Sequence, residues 1–500
     1  MSPGQMQSPV TNGGLPLSPG GNSAVRAGDC QFMPKVADEP LSPYRGIRAL
    51  GANSLVVALL SPLVFLTTES TQKVLLAIVI LDIPIQFGTH LFYHESNAVM
   101  GALGGWNLSA TTIALTALYL SWLVRILAKR DSQARSSLHM NLSLLLYFAA
   151  AVISIVVAQD TALALFEVFL VAQACLVYFY VANSICTRRD VMFVVSMLLI
   201  GCLLESIVVI AIRLFMTPAT RWNGPIHIYA DIAPLTGTMR IGGTVGSPNT
   251  AAAYFSLLLA IAAGLLFTKI GFVHKWLSVA VLAFGSVALI LTFSRGGWIA
   301  LAVAIAVICF FAWRQRRSSL KVPIAILVIL AMIYVPFHSL ISARMLGDDK
   351  GSAESRIPLN KLAFRMIGDN PVLGVGANNF TAVMPRYLTS EFRSEFLYTV
   401  HNTYLLIWTE IGIAGLLAYL AFLLGTLRRG WQCWRFGDPW LSPLALACMA
   451  GIAGHMLHQG VDIFSDRPIQ QLLWLVAGLL AAMLRIGKED GEHNSVVNLA

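Results

Sequence analysis

Long apolar runs, separated by short polar segments, dominate the sequence. Eleven of them are long enough to cross a hydrocarbon core about 30 Å thick, at residues 110–127, 138–158, 161–183, 190–216, 250–268, 275–292, 297–313, 320–337, 401–425, 440–464 and 468–485. Two weaker runs precede them, at 50–68 and 74–91, and their polar and proline residues predict that one of the two is broken or re-entrant. The pattern therefore predicts an all-α polytopic membrane protein of about 12 transmembrane helices.

The composition agrees with this pattern and excludes an ordinary soluble domain. Of the 500 residues, 57% are hydrophobic and only 12% are charged, and the mean hydropathy is +0.71. Residues 1–45 are rich in Pro, Gly and Ser and lack the apolar segment of a cleaved signal peptide, so we expect a disordered N-terminal tail. The seven cysteines fall in predicted spans, the tail or short basic loops, which indicates no disulfide framework.

Basic residues mark alternate connections between the predicted spans and so predict the orientation. They concentrate at 125–135, 187–190, 269–275, 314–317, 428–435 and 485–488. The positive-inside rule places these connections in the cytoplasm, which explains the formal charge of +9 without a nucleic-acid partner. We therefore expect a transmembrane domain over residues 46–485, periplasmic loops at 217–249 and 338–400, and a cytoplasmic tail at 486–500. The N-terminal tail is also basic and predicted to be cytoplasmic, which requires an even number of crossings before residue 125 and favours twelve spans over thirteen.

The second long loop contains an amphipathic stretch. Within residues 355–380, Leu359, Leu362, Ala363 and Met366 recur at helical spacing and could form one apolar stripe. The spacing predicts a small helical cap that lies on the outer face of the membrane.

Ionisable side chains gather at the ends of spans on this same face. Arg221 and Arg240 lie in the first long loop, and Arg295 lies in a turn so short that its guanidinium must sit near the interface, where a cation needs a partner or a wet cavity. His401 stands at the start of a predicted span, where helical spacing places it on one face with Leu405, Trp408, Gly412 and Gly415. His455, His458 and Asp462 likewise share a face of the following predicted helix.

Several arginines and a histidine in a membrane-level pocket suit the chemistry of a lipid diphosphate. The planar guanidinium binds phosphate oxygens in a bidentate way and stays charged when partly desolvated. Arginines can stabilise the charge that develops on a departing diphosphate, and a histidine can take the proton of an attacking hydroxyl. Metal binding by His455, His458 and Asp462 is the weaker interpretation, because the same spacing suits a hydrogen-bonded wall, and no phosphate-binding loop of the P-loop type is present. We therefore expect no metal and no cofactor.

Four segments resemble the bacterial O-antigen ligase and polysaccharide polymerase superfamily: "RIGGTVGSPNTAAAYFSLLL" (240–259), "LTFSRGGWIAL" (291–301), "NPVLGVGANNF" (370–380) and "HNTYLLIWTEIG" (401–412). His401 and Gly412 match the H-x10-G pattern of that family. The resemblance implies a metal-independent, inverting glycosyltransferase in the bacterial inner membrane, with its active site facing the periplasm. The implied donor is a glycan on undecaprenyl diphosphate, and the acceptor is a glycan or lipid A core.

Residue by residue, the resemblance implies that Arg240 and Arg295 bind the donor diphosphate and that His401 assists the acceptor hydroxyl. Asn249 would shape the pocket, and Asp462 matches a loose acidic position of the family. We add Arg221, Trp408 and His458 as predicted substrate-binding residues from their place on the outer face. Ligases, polymerases and protein-directed transferases share these motifs, so the acceptor stays open.

A transporter or flippase without glycosyl transfer is the alternative interpretation. Asp82, Glu167, Glu205 and Glu410 lie within predicted spans, and intramembrane carboxylates often relay protons. They are scattered over different helices, whereas the arginines and His401 share one face of the membrane. The sequence therefore favours the transferase.

Overall fold

A computed structural model describes residues 68–128, 139–216, 227–232, 239–314, 321–346, 356–389 and 397–497. Eight helices in this part of the chain are long and apolar enough to cross a membrane, and two shorter apolar helices accompany them. The predicted all-α polytopic fold is therefore confirmed. The predicted tail at 1–45 and the weak run at 50–68 lie outside the described residues.

The described helices are α1 (Glu69–Ile85), α2 (Glu95–Val99), α3 (Ala110–Ala128), α4 (Leu142–Ser154), α5 (Thr161–Ser184), α6 (Arg188–Phe215), α7 (Pro248–Leu265), α8 (Phe272–Leu291), α9 (Arg295–Arg314), α10 (Lys321–Leu346), α11 (Arg356–Asp369), α12 (Phe380–Val383), α13 (Thr403–Arg435), α14 (Leu441–Gln459) and α15 (Arg467–Val497). Two short 3-10 turns follow α4 and α12, at Ile155–Val157 and Met384–Tyr387. The weak run at 74–91 ends as a helix at Ile85, because Gln86 adopts a left-handed conformation.

Two small antiparallel hairpins add to the predicted helices. Strands β1 (Gly88–Leu91) and β2 (Trp106–Ser109) pair with each other, and β3 (Tyr229–Ile232) pairs with β4 (Met239–Gly243). In the second hairpin Asp231 lies opposite Arg240. The sequence did not predict these hairpins, because strands of four or five residues inside polar loops give too short an alternation to detect.

Small residues allow the central helices to pack closely. Helix α7 is buried on nearly all sides and packs against α8, α9 and α14. A side chain at Gly264 would overlap Ala447 of α14, and one at Gly297 of α9 would press on Ala252. Such close approach is the usual basis of helix association in membranes, where apolar burial alone gives no preference for a neighbouring helix over lipid.

Three of the basic connections meet at one end of the bundle, which we call the basic end. Arg188 forms ion pairs with Asp438 at 2.9 Å and with Asp490 at 2.7 Å. Arg485 donates a hydrogen bond to the Ile185 carbonyl at 2.8 Å. These contacts join the connections near residues 185–190 and 438 to the last part of α15. Basic segments far apart in the sequence therefore lie at the same end of the bundle.

The predicted amphipathic cap is confirmed as helix α11. Leu359, Leu362, Ala363 and Met366 are all buried, and the last three belong to a separate apolar cluster that includes Phe380 and Leu406. Helix α10 continues to Leu346, so the segment predicted as a loop from residue 338 begins as helix.

Helix α13 is interrupted at Gly412, which has a φ of +76°. The loop after α11 fills the interruption: the amides of Val375 and Gly376 donate to the carbonyls of Thr409 and Glu410, each at 2.9 Å. The segment "NPVLGVGANNF" is therefore a loop that supplies the hydrogen bonds that the broken helix loses.

The Gly412→Ala variant is expected to destabilise the protein by about 2–4 kcal/mol, because Ala is strained at this φ and its Cβ would overlap the Val372 carbonyl oxygen. The melting temperature of the purified protein in detergent measures this effect. Gly368→Ala is the matched control, since no atom lies within 4 Å of its added Cβ. Equal melting temperatures for the two variants would contradict the assigned break.

Candidate functional site

Arg240 connects the second hairpin to two helix ends. Its Nη2 donates to Asn249 Oδ1 at 2.7 Å, and its Nε donates to the Thr292 carbonyl at 3.1 Å. Asn249 lies in the first turn of α7, where Ser247 caps the helix and Pro248 occupies the first helical position. The guanidinium therefore lies beside the turn that leads to Arg295.

The turn between α8 and α9 carries Arg295 and is contacted from two further elements. Arg344, near the end of α10, donates from Nε to the Phe293 carbonyl at 3.3 Å. Gly296 lies against the His458 ring so closely that a Cβ there would overlap it. This turn thus brings Arg240, Arg295 and Arg344 to one end of the bundle, together with the end of α14.

His401 is joined to the same end through the residues that follow it. Asn402 caps α13 and also donates from Nδ2 to the Gly460 carbonyl at 3.0 Å. Thr403 donates to the Asp462 carbonyl from its amide at 3.1 Å and from its hydroxyl at 2.9 Å. These bonds attach the start of α13 to the loop after α14. The end of α14 in turn touches Gly296 through His458. We call Arg240, Asn249 and residues 292–296, 401–403 and 458–462 the arginine site.

The cap contributes a further cation to the arginine site. Arg356, the first residue of α11, donates from Nη1 to the Val461 carbonyl at 2.8 Å. Burial and the positive charge of Arg356 lower the pKa of His401 to about 4. Burial raises the pKa of Asp462 to about 6, although Arg356 and Arg240 oppose that rise. His401 is therefore neutral at pH 7, and the lowered pKa makes it a weaker base than an ordinary histidine.

Two predictions of shared helical faces need correction. His401 does not head a helical face with Leu405 and Trp408, because α13 begins at Thr403. The Trp408 indole donates to the Pro371 carbonyl at 3.2 Å and so contacts the loop after α11. Asp462 does not share a helical face with His455 and His458, because α14 ends at Gln459. Arg221 lies outside the described residues.

His455 and His458 are buried and pack against one aromatic ring. Their ring centroids lie 4.9 Å and 4.7 Å from that of Phe464. In the described part of the chain, no group of three or more His, Cys, Asp or Glu side chains is arranged to hold a metal ion. The two histidines therefore form a wall of the arginine site, with His458 the nearer to Arg295.

Sequence reasoning missed Arg344 and Arg356. Arg344 falls in a segment predicted as loop, and Arg356 begins the predicted cap helix, whose apolar stripe gives the stronger sequence signal. The position of Arg356 at the first turn of a helix that covers the arginine-rich face was the available signal. Arg344 gave no comparable signal, because its role depends on the extension of α10.

Three of the carboxylates within predicted spans accept hydrogen bonds from backbone amides of loops and helix ends. Asp82 forms a buried ion pair with Arg467 at 2.8 Å and accepts from the Thr111 amide at 2.9 Å. Glu205 accepts from the Thr244 amide at 2.7 Å, and Glu410 accepts from the Phe380 amide at 3.0 Å. These hydrogen bonds and the ion pair stabilise the three carboxylates in their buried positions.

The fold and the arginine site define a multi-pass membrane protein with clustered cations and a neutral histidine at one end of the bundle. Residues 279–420 match the family model described as O-antigen ligase, which confirms the predicted resemblance to the O-antigen ligase-like superfamily. The match includes Arg295, Arg344, Arg356 and His401, whereas Arg240, Asn249 and Asp462 join the site from outside it. No curated protein matches the chain significantly.

Proposed function

We propose that this protein is a metal-independent, inverting glycosyltransferase that moves or polymerises glycan from an undecaprenyl-diphosphate carrier onto an acceptor hydroxyl. The acceptor is a glycan or lipid A core, and the reaction takes place at the periplasmic face of the bacterial inner membrane. The proposal fits envelope polysaccharide or lipopolysaccharide synthesis. The O-antigen ligase match over residues 279–420 supports the class of reaction.

One observation carries the proposal: a continuous chain of contacts joins Arg240, the Arg295 turn and the His401 segment. Arg240 bonds to Thr292, Gly296 touches His458, and Thr403 bonds to Asp462. The three predicted catalytic residues come from segments far apart in sequence. Their approach at one end of the bundle is what a single diphosphate-sugar requires.

In the proposed reaction, the acceptor oxygen attacks the anomeric carbon as the bond from that carbon to the diphosphate oxygen breaks. Attack opposite the leaving group inverts the anomeric configuration. Arg240 and Arg295 stabilise the negative charge that develops on the departing diphosphate. His401 accepts the acceptor proton, and its imidazole is neutral beforehand because burial and Arg356 lower its pKa.

The transporter alternative has less support. Asp82, Glu205 and Glu410 each accept hydrogen bonds from loop or helix-end amides, so their presence in the membrane needs no proton pathway. Glu167, the fourth, lines a cavity and accepts a hydrogen bond from the Gln470 side chain.

Transfer by the purified protein in proteoliposomes tests the proposed function. With undecaprenyl-diphosphate oligosaccharide and acceptor, we expect a longer or transferred glycan and free undecaprenyl diphosphate, with no nucleotide or divalent metal added. Movement of the lipid-linked glycan across the bilayer without any new glycosidic bond would contradict the proposal and support a transporter. In a deletion strain, loss of chain length indicates a polymerase, whereas accumulation of full-length lipid-linked chains indicates a ligase.

Arg356→Gln is expected to move the acid limb of the pH profile of kcat/KM to higher pH. The wild-type enzyme loses activity as pH falls through the His401 pKa of about 4, because the protonated ring cannot accept a proton. Removal of the Arg356 charge raises that pKa, while burial still holds it below its ordinary value, and a rise of roughly one pH unit is expected. Lys361→Gln, which removes a cation from the exposed face of the same helix, is the control. An unchanged acid limb would contradict the electrostatic role of Arg356.

A further inference from the structure

A small cavity that contains several polar groups lies inside the bundle, next to the arginine site. Its volume is about 30 Å³, and it is lined by residues of α4, α5, α13, α14 and α15. Thr403 and Phe464 form part of its wall, where the Phe464 amide donates to the Thr403 hydroxyl at 3.2 Å. The cavity therefore adjoins the segment that carries His401.

Within the ranges that the structure describes, the carboxyl groups that line the cavity have no basic neighbour in its lining. Glu167 and Glu410 both line it, with exposed fractions of 6% and 9%, and none of the described residues that line it is Lys, Arg or His. Asp466 also acts electrostatically on Glu167. Buried carboxylates without a basic partner are costly, so a bound positive species would stabilise this arrangement.

The two carboxylates differ in their hydrogen bonds. The Glu410 carboxylate accepts from the Phe380 amide at 3.0 Å and also from a backbone group at Asn378. Glu167 accepts from the Gln470 side-chain amide at 3.2 Å. Backbone donors already stabilise a negative charge on Glu410. Glu167 has only a side-chain amide donor, so a monovalent cation would stabilise its charge the more.

Two glutamine carbonyl oxygens add neutral ligands. Gln459 and Gln470 line the cavity with exposed fractions of 1% and 8%, and the Oε1 atom of each is buried without a hydrogen-bond donor. Their Nε2 atoms are already used: that of Gln459 donates to the Tyr419 hydroxyl at 2.6 Å, and that of Gln470 donates to Glu167. Both orphaned atoms are therefore acceptors.

We propose that this cavity binds one Na⁺ ion, held by the Glu167 carboxylate and the carbonyl oxygens of Gln459 and Gln470. Oxygen atoms are the ligands that hard cations prefer. One ion can contact several acceptors at once, whereas a proton on Glu167 could satisfy only one of them. The ion would tie α5, α14 and α15 together next to the arginine site. The proposal does not rest on the proposed function, because it concerns binding and stability only.

The melting temperature of the full-length protein in detergent tests the proposal, measured in NaCl and in choline chloride at equal ionic strength and fixed pH. We expect Na⁺ to raise the melting temperature by roughly 2–4 °C at about 100 times the dissociation constant. In Glu167→Gln, the difference between the two salts should fall below about one quarter of the wild-type difference, since the neutral amide removes the charge. Glu95→Gln, at an exposed acidic residue of α2, should respond like the wild type.

Equal melting temperatures of the wild type in Na⁺ and choline would overturn the proposal and assign the cavity to water alone. A melting temperature that depends on pH but not on Na⁺ would overturn it in favour of a bound proton. If Glu167→Gln keeps the full Na⁺ response, the ion binds elsewhere. If Glu167→Gln does not fold, the wild-type comparison is repeated with Gln459→Leu, which removes a neutral ligand and should weaken the Na⁺ response.

Discussion

His401→Ala is expected to lower kcat for glycan transfer by about 10²–10⁴-fold, the usual contribution of a positioned general base. The imidazole is neutral at pH 7, because burial and Arg356 lower its pKa to about 4. It lies next to Asn402 and Thr403, which fix its segment to the loop after α14. Loss of the ring removes the proton acceptor while those bonds remain.

The effect must be separated from misfolding. His274→Ala is a suitable control, because His274 lies beside Arg188 at the basic end, on the opposite side of the bundle from the arginine site. Both variants should elute and melt like the wild type, and only His401→Ala should lose turnover of purified lipid-linked oligosaccharide. Full activity of the folded His401→Ala variant would remove this residue from the mechanism.

Arg295→Lys is expected to reduce kcat by about 10²-fold or more, although the charge is kept. Lysine presents a point charge, whereas the planar guanidinium of arginine can donate two parallel hydrogen bonds to two oxygens of a diphosphate. Arg295→Ala should abolish transfer. Arg428→Lys makes the same replacement at an exposed arginine near the end of α13 remote from His401 and should leave the rate unchanged.

A rate for Arg295→Lys within about twofold of the wild type would show that Arg295 does not bind the leaving group through its fork. The acceptor can be varied in the same assay. A defect that persists with every acceptor tested would assign Arg295 to the donor diphosphate, as proposed.

The apolar pattern was sufficient to predict the helices and the cap. Long runs such as 161–183 form helices, here α5, because a segment within a membrane must make its backbone hydrogen bonds within itself. The stripe of Leu359, Leu362 and Met366 gave the buried face of α11, because a 3.6-residue period is local information.

The interruption of α13 could not be predicted from the same pattern. Gly412 lies within the predicted span 401–425, and α13 is interrupted there because the loop after α11 supplies amides to the carbonyls of Thr409 and Glu410. A helical wheel that treats residues 401–415 as one helix therefore places side chains wrongly. The contacts of the loop, more than thirty residues earlier in the chain, decide the geometry.

The site was predicted in part. Arg240, Arg295 and His401 could be chosen because the predicted topology places all three on the same face of the membrane and their segments resemble the family. Their mutual approach depends on hydrogen bonds between distant segments, such as Arg240 to Thr292 and Thr403 to Asp462. Arg356 was missed for the same reason, since its importance comes from the charge that it places near His401 and Asp462.

The most direct test is an experimental structure of the protein with undecaprenyl diphosphate bound in nanodiscs. The account predicts diphosphate oxygens within about 3 Å of the guanidinium groups of Arg240 and Arg295, with the His401 ring facing the position of the departing sugar. A diphosphate bound at the basic end, or one that contacts neither arginine, would contradict it.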